Sequence, residues 1–140
     1  METPALNAAL DHTLHIPIAE LSPSLAAPET RAVKAIVTLT WPFSSATGSL
    51  AFLLSEPDFR LRQQRGQVRV QFAGSSAKHV SESKFASGDE VLLCLDGVEW
   101  IKDENKVATP GTSVEFELRF SERLLLKVRL SDSITYIFSN

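Results

Sequence analysis

A regular alternation of side-chain types over residues 31–41 constrains the fold of this chain more than any other stretch does. Successive side chains of a β-strand point to opposite faces, so the alternation predicts a long first strand. Pro42, which has no amide N–H to donate, is predicted to end its pairing. The apolar positions that the pattern places on one face are Val33, Ala35, Val37, Leu39 and Trp41.

Further apolar runs, separated by turn residues, predict a succession of strands and one short helix. Gly74, Ser75 and Ser76 are typical of a helix start, and the helix is predicted over residues 77–84. The short spacing at residues 121–123 predicts a hairpin between the two strands that flank it. The remaining predicted strands are residues 49–54, 67–72, 90–95, 114–120 and 124–130.

This order of elements is that of an OB-fold. We expect an all-β domain with one short helix, a five-stranded Greek-key barrel whose helix lies between strands 3 and 4. Residues 29–131 are predicted to form the barrel, because four prolines in residues 1–28 forbid a long helix and favour a tail there. Residues 132–140 are expected to be a second tail or an edge strand. In this fold oligonucleotides usually bind the face of strands 2 and 3, flanked by loops 1–2 and 4–5.

Composition excludes several other classes of protein. A chain of 140 residues is long enough for a single core, and no apolar run approaches the length of a membrane span or forms a signal peptide. The single cysteine, Cys94, lies in an apolar run, which favours core packing in a reducing compartment. Because no catalytic motif or metal-ligand spacing is present, we expect no enzymatic activity, no cofactor, no metal, no small-molecule substrate and no membrane partner.

Positive charge is concentrated in one window of an acidic chain. The formal net charge is -3, yet residues 60–84 hold six basic residues against the single acid Glu82, a local charge of +5 that leaves -8 for the remainder. Within this window Arg69 and Gln71, two residues apart on one predicted strand, must face the same way. Any site for a polyanion is therefore predicted to be local.

Five segments resemble a known family in the same order along the chain. They are WPFSS (residues 41–45), EPDFRLR (56–62), GQVRVQFAGSSAK (66–78), GDEVLLCLDGVEW (88–100) and PGTSVEFELRF (110–120). Together they are similar to the telomeric single-stranded DNA-binding domains of the protection-of-telomeres family, fungal type, over roughly residues 18–130. The resemblance implies an OB-fold that binds the G-rich single-stranded overhang at chromosome ends in the nucleus, for end protection and telomere length control. It also implies other telomere proteins as partners and larger proteins with further domains.

A single-strand site needs cations that follow phosphates and flat groups on which bases stack. Arg60, Arg62 and Arg65 are expected in a mobile loop that captures phosphates or stacks on bases, whereas a strand fixes the arginine and amide that follow. The full set of candidate nucleic-acid-binding residues is Trp41, Phe43, Arg60, Arg62, Arg65, Arg69, Gln71, Lys78, Trp100, Lys102 and Lys106.

Several of these assignments keep an alternative. Trp41 and Phe43 are expected either to stack on bases or to plug the barrel, and Trp100 either lines the groove or covers the barrel bottom. Lys78 is expected to contact the backbone or simply to be solvated. At the level of function, the alternative is an OB-fold module for protein interaction or dimerisation in a telomere or replication complex, which the acidic net charge favours.

Overall fold

The computed structural model describes residues 13–62, 65–83, 87–102, 116–129 and 133–139. Within these residues the chain is mostly β-sheet. The nine strands are β1 Leu14–His15, β2 Arg31–Ser44, β3 Ser49–Ser55, β4 Gln67–Ala73, β5 Glu90–Cys94, β6 Glu99–Lys102, β7 Phe116–Phe120, β8 Leu124–Arg129 and β9 Ile134–Ser139.

Two short α-helices and two 3-10 turns accompany the strands. Helix α1 is a single turn, Phe59–Arg62, and α2 is Gly74–Ser81; the 3-10 turns are Ile18–Glu20 and Pro28–Thr30. Expecting one helix was therefore wrong, because a helical turn lies inside the arginine-rich stretch. Helix α2 also begins three residues earlier than expected. The Ser76 hydroxyl bonds the carbonyls of Ala73, at 2.8 Å, and of Phe120, which fixes the helix start to β7.

Strand β2 is the element that joins the two halves of the sheet. Its first half pairs with β5 and its second half with β3, both antiparallel. Between Val37 and Leu39 the register with β3 shifts by one residue. Such a bulge turns the following side chains to the other face. Leu39 is consequently 53% exposed, and Leu39 and Trp41 lie on the outer face, so the expectation that they share the face of Val37 was wrong.

The strand does not stop at Pro42. Strand β2 runs to Ser44, with a second register shift between Trp41 and Ser44 that spans the proline. A bulge leaves a residue outside the ladder, so the missing N–H of a proline is tolerated there.

Strands β5 to β8 form one long bent ladder in place of the hairpin predicted at residues 121–123. Glu90 pairs with Arg129 at one end of this ladder, and Lys102 pairs with Phe116 at the other. Within the described residues β7 and β8 do not pair with each other, so that expectation was wrong. The two halves meet at a bend where Gly97 adopts a φ of +93°, a conformation that a side chain makes unfavourable.

The strands of the described residues form one mixed sheet. The strand order is β6-β7-β4-β3-β2-β5-β8-β9, with β1 added parallel to β2. Strand β7 joins β4 in parallel. Strands β5 and β6 are far apart in the strand order, but only four residues connect them along the chain. The five strands expected for the barrel are too few, because the described residues form nine.

One hydrophobic core fills the space that these strands enclose. Phe52, Phe72 and Phe120 are buried, and the Phe72 ring is adjacent to the other two, with centroids 5.6 Å from Phe52 and 6.2 Å from Phe120. Ile18 and Leu21 are fully buried in the same cluster, so part of the segment expected to be a tail packs into the core. At the other end of the chain, β9 pairs with β8 and forms the sheet edge. No helix among the described residues is long and apolar enough to cross a membrane.

Candidate nucleic-acid interface

The outer face of β2, β3, β4 and β7 gathers polar and aromatic side chains in two rows. Directly paired residues of neighbouring strands lie on the same side of a sheet. The first row is Trp41, Ala51, Gln71, Arg119 and Glu99; the second is Leu39, Leu53, Arg69, Glu117 and Ile101. We call this surface the first face.

At the centre of the first face, Arg69 lies between an aromatic ring and a carboxylate. Its guanidinium is 4.8 Å from the centroid of the Trp41 ring, close enough for a cation–π interaction. It also donates a short hydrogen bond to Oε1 of Glu117, whose side chain is 12% exposed, whereas that of Arg69 is 34% exposed. The arginine is thus held in one orientation, with part of its surface open to solvent.

The neighbouring row presents an amide and a second arginine. The Gln71 side-chain amide donates to the Ser49 hydroxyl at 3.3 Å. Arg119 has its Nε 3.8 Å from Oε1 of Glu99, near enough for an ion pair but too far for a hydrogen bond, so this buried N–H has no partner among the described residues.

Arg60, in the arginine-rich stretch, forms an ion pair with Asp58. Nη2 of Arg60 lies 3.1 Å from Asp58, whose carboxylate also accepts the backbone N–H of Arg60 at 3.0 Å. These hydrogen bonds lower the pKa of Asp58 and raise that of Arg60. The Arg60 side chain is 89% exposed, so solvent screens the pair strongly.

Arg62 is fixed by the backbone and by an aromatic ring. Its Nε donates to the Glu56 carbonyl at 2.6 Å, and its guanidinium lies 4.0 Å from the Phe59 ring centroid. Phe59 is 76% exposed and offers a flat surface that the sequence did not single out. Arg62 therefore has two intramolecular contacts, whereas it was expected to capture phosphates or stack on bases from a mobile loop; that expectation stays a prediction.

Two contacts close the base of this loop, residues 56–66, which we call the arginine loop. The Glu56 N–H bonds the Gly66 carbonyl at 2.9 Å, and the buried Glu56 carboxylate accepts the Ile18 N–H at 2.6 Å. A Cβ on Gly66 would lie 2.1 Å from the Leu61 carbonyl oxygen, so only glycine fits this close approach. Arg65, beside it, is exposed and has a φ of +60°.

The structure brings only some of the candidate residues together. Trp41, Arg69 and Gln71 share the first face. Phe43 lies farther along β2 and is 49% exposed. The arginine loop joins the β3–β4 end where Ser55 pairs with Gln67, which is the opposite end from the turn after β2.

The other candidates lie elsewhere. Trp100 is half-buried, pairs with Leu118 and packs against the core. Lys78 is exposed on α2 and Lys102 is exposed at the end of β6. Lys106 lies outside the described residues.

Three charged residues of the first face were missed from the sequence: Glu99, Glu117 and Arg119. The alternation of residues 116–120 contained the signal, because Leu118 and Phe120 are buried and leave Glu117 and Arg119 outside. What the sequence did not contain was the parallel pairing that puts them beside Arg69 and Gln71. Within the described residues no three side chains of the His, Cys, Asp or Glu type group as metal ligands.

These elements define a mostly β domain with a mixed sheet and a few short helices. The chain belongs to the family described as a domain of unknown function, DUF8502, whose sequence profile matches residues 11–136. No curated protein matches it by sequence.

Among solved structures, the chain is similar to one assigned as an aspartyl-tRNA synthetase from Leishmania major Friedlin, with a TM-score of 0.52 and 18% sequence identity. The match covers 91% of this chain and 21% of that one, so this chain spans about a fifth of its length. At this level of identity the similarity shows the fold alone.

Proposed function

We propose that this chain is an OB-fold domain that binds G-rich single-stranded telomeric DNA on its first face. The function is end protection and telomere length control at chromosome ends in the nucleus, alongside other telomere proteins. The observation that carries the proposal is the Trp41–Arg69 stack with Gln71 in the adjacent row.

The strand path supports the OB-fold part of the proposal. In that fold the first strand pairs with the second and the fourth, and the third runs parallel to the fifth. Strand β2 takes the first place, and β3 and β4 take the next two. The ladder of β5–β6 with β7–β8 supplies the remaining two strands, and α2 follows β4. On this assignment β1 and β9 are additions at the two ends of the chain.

The chemistry of the first face supports a single-strand ligand. Unpaired bases stack on aromatic rings and guanidinium planes, each contributing about 1 to 3 kcal/mol, and Trp41 and Arg69 provide both kinds of plane. An arginine fork reads guanine edges, and a glutamine amide reads adenine edges.

The alternative is an OB-fold that binds a protein partner or a second copy of itself. Glu99 and Glu117 on the first face favour it, because carboxylates repel a polyanion. The exposed apolar side chains of Leu39 and Phe43 favour it too. This alternative predicts association that depends on protein concentration, which sedimentation measures.

The deciding experiment is a fluorescence-anisotropy titration with G-rich, C-rich and scrambled single strands of equal length. We expect the G-rich strand to bind tightest and its affinity to fall steeply with salt. Arg69→Ala should weaken binding by about 1 to 3 kcal/mol and reduce the preference for G-rich sequence.

Arg123→Ala is the matched control. It also removes an ion-paired arginine, one held by Asp96 at 2.9 Å in the bend, and should leave DNA affinity within about 0.5 kcal/mol of the parent. If no single strand binds at low salt, the DNA proposal fails and the protein-interaction alternative stands.

A further inference from the structure

A second group of charged side chains lies on the outer surface of the other half of the sheet, where β1, β2, β5 and β8 meet. A groove of about 180 Å³ opens there. The residues that line it are His15, Lys34, Glu90, Val91, Leu92, Lys127 and Arg129. None of them belongs to the first face, so this inference is independent of the function proposed above.

Strand register explains why these charges meet. Lys34 pairs with Leu92, which pairs in turn with Lys127, so the two lysines lie on either side of Leu92 in one row. Glu90 and Arg129 are direct partners in the next row. The alternate residues Ala35, Val91 and Val128 have their side chains buried in the core, so the charged side chains beside them point outward.

The charges of the groove are not used by the fold. None of the ion pairs found within 4.0 Å among the described residues involves Lys34, Lys127 or Arg129. Three basic side chains that line one groove give it a positive local potential, which attracts anions. The Nζ of Lys127 lies 5.9 Å from the ring centroid of Tyr136, its partner on β9, so this ammonium sits toward the β9 side of the groove.

Charge balance and size select the ligand. Three cations against the single carboxylate of Glu90 leave a charge of +2. A phosphate monoester carries about 1.5 to 2 negative charges at pH 7 and presents three acceptor oxygens. A water molecule needs about 10 to 15 Å³ of cavity, so the groove has room for a group of several heavy atoms.

We propose that this groove is a binding site for a phosphate monoester. The ester is either the 5′-phosphate at the end of a nucleic-acid strand or the phosphate of a free nucleotide. Lys34, Lys127 and Arg129 contact its oxygens, and Glu90 accepts a hydrogen bond from a hydroxyl of the attached sugar.

The test is an amide-resolved NMR titration of the full chain with inorganic phosphate. It is followed by a nucleoside monophosphate and by one short oligonucleotide with either a 5′-phosphate or a 5′-hydroxyl. We expect saturable shifts at Lys34, Leu92, Lys127 and Arg129. A phosphorylated oligonucleotide that moves these signals when its hydroxyl form does not identifies a strand end; shifts with the mononucleotide alone identify a free nucleotide.

Paired variants make the result decisive. Lys34→Gln combined with Arg129→Gln should weaken phosphate binding about tenfold or more, because charge-assisted hydrogen bonds are lost. Arg123→Gln, which removes one charge in the bend, should leave it unchanged. Absence of saturable shifts at millimolar phosphate overturns the proposal, as does equal binding by the double variant.

Discussion

At the scale of single residues, Arg69 is both the best candidate contact and a residue already held by the protein. Trp41 stacks on its guanidinium and Glu117 accepts its hydrogen bond. A carboxylate in that place aligns the arginine but opposes a phosphate. The Arg69–Glu117 pair therefore fixes the orientation of the arginine but lowers its affinity for a phosphate.

Glu117→Gln tests whether the carboxylate of Glu117 weakens DNA binding. Removing one negative charge from the first face should strengthen single-strand binding several-fold at low salt and make the affinity more salt-dependent, because fewer anions compete for Arg69. Its effect on stability should be about 1 kcal/mol or less, since the arginine is a third exposed. Anisotropy titrations at two salt concentrations measure the change.

The control is Glu29→Gln, an exposed acid in a 3-10 turn away from the first face. It makes the same change in net charge and should leave affinity nearly constant. Equal gains from both variants would mean that the local carboxylate has no special role.

Gly66 offers a second test at this scale. Gly66→Ala should destabilise the protein by about 1 to 3 kcal/mol, because its Cβ meets backbone at the base of the arginine loop. Gly48→Ala should reduce the free energy of unfolding by less, because its Cβ would have no neighbour within 4 Å and the only penalty is the φ of +67°. Urea unfolding of both proteins compares the two, and a larger loss at Gly48 would contradict the close approach.

Much of the residue-level pattern was readable from the sequence. Val68, Val70 and Phe72 were predicted on one face of β4 and are buried, which leaves Arg69 and Gln71 outside. The partners of those two side chains were not readable, because Glu117 is 48 residues away and no local periodicity specifies which strands become neighbours.

At the scale of elements, the N-terminal segment and the arginine loop depend on each other. Ile18 is buried in the core, and its N–H bonds the Glu56 carboxylate at the loop base. Proline spacing correctly argued against a long helix there, but it said nothing about two apolar side chains reaching the core. Short 3-10 turns leave no periodic signal of the kind that reveals helices and strands.

Ile18→Ala measures this dependence. We expect a loss of about 2 to 5 kcal/mol in the free energy of unfolding, because a buried branched side chain is removed and a cavity remains. Ile134→Ala is the matched control, since Ile134 is 40% exposed and its truncation should change stability little. An unfolding free energy unaffected by Ile18→Ala would restore the view of this segment as a tail.

At the scale of the whole molecule, the buried thiol of Cys94 makes stability depend on pH. Its side chain is 5% exposed, and burial raises the pKa of the Cys94 thiol. The unfolded thiol ionises near pH 8.5. The folded state therefore keeps its full advantage below that pH and loses stability as the pH rises above it, because only the unfolded chain releases the proton readily.

We expect the contribution of Cys94 to the free energy of unfolding to fall by up to about 1.4 kcal/mol per pH unit above about pH 8.5. Denaturant unfolding at pH 7, 8.5 and 9.5, compared with Cys94→Ala, isolates it from other titrations. The variant should show the shallower decline; parallel curves for the two proteins would mean that the thiol ionises equally in both states.

The overall topology was only partly predictable from the sequence. The position of α2 directly after β4 follows from local patterns and was anticipated. Which strands become neighbours does not follow from such patterns. The bent ladder was not anticipated, because the short spacing at residues 121–123 predicted a hairpin and the turn at residues 96–97 was expected to lead into a long loop, where β6 in fact lies. In the folded protein they lie on opposite strands of one bend, where Arg123 pairs with Asp96 at 2.9 Å.

Because of the bulge in β2, the number of residues before Leu39 determines which side chains of this strand lie on the first face. One residue between Val37 and Leu39 decides whether Trp41 points to solvent or to the core. A deletion at Thr38 would exchange the two faces beyond it without altering any side chain of the site. Relatives of this chain that differ by a one-residue gap at this position are expected to have lost the surface even where they retain the tryptophan.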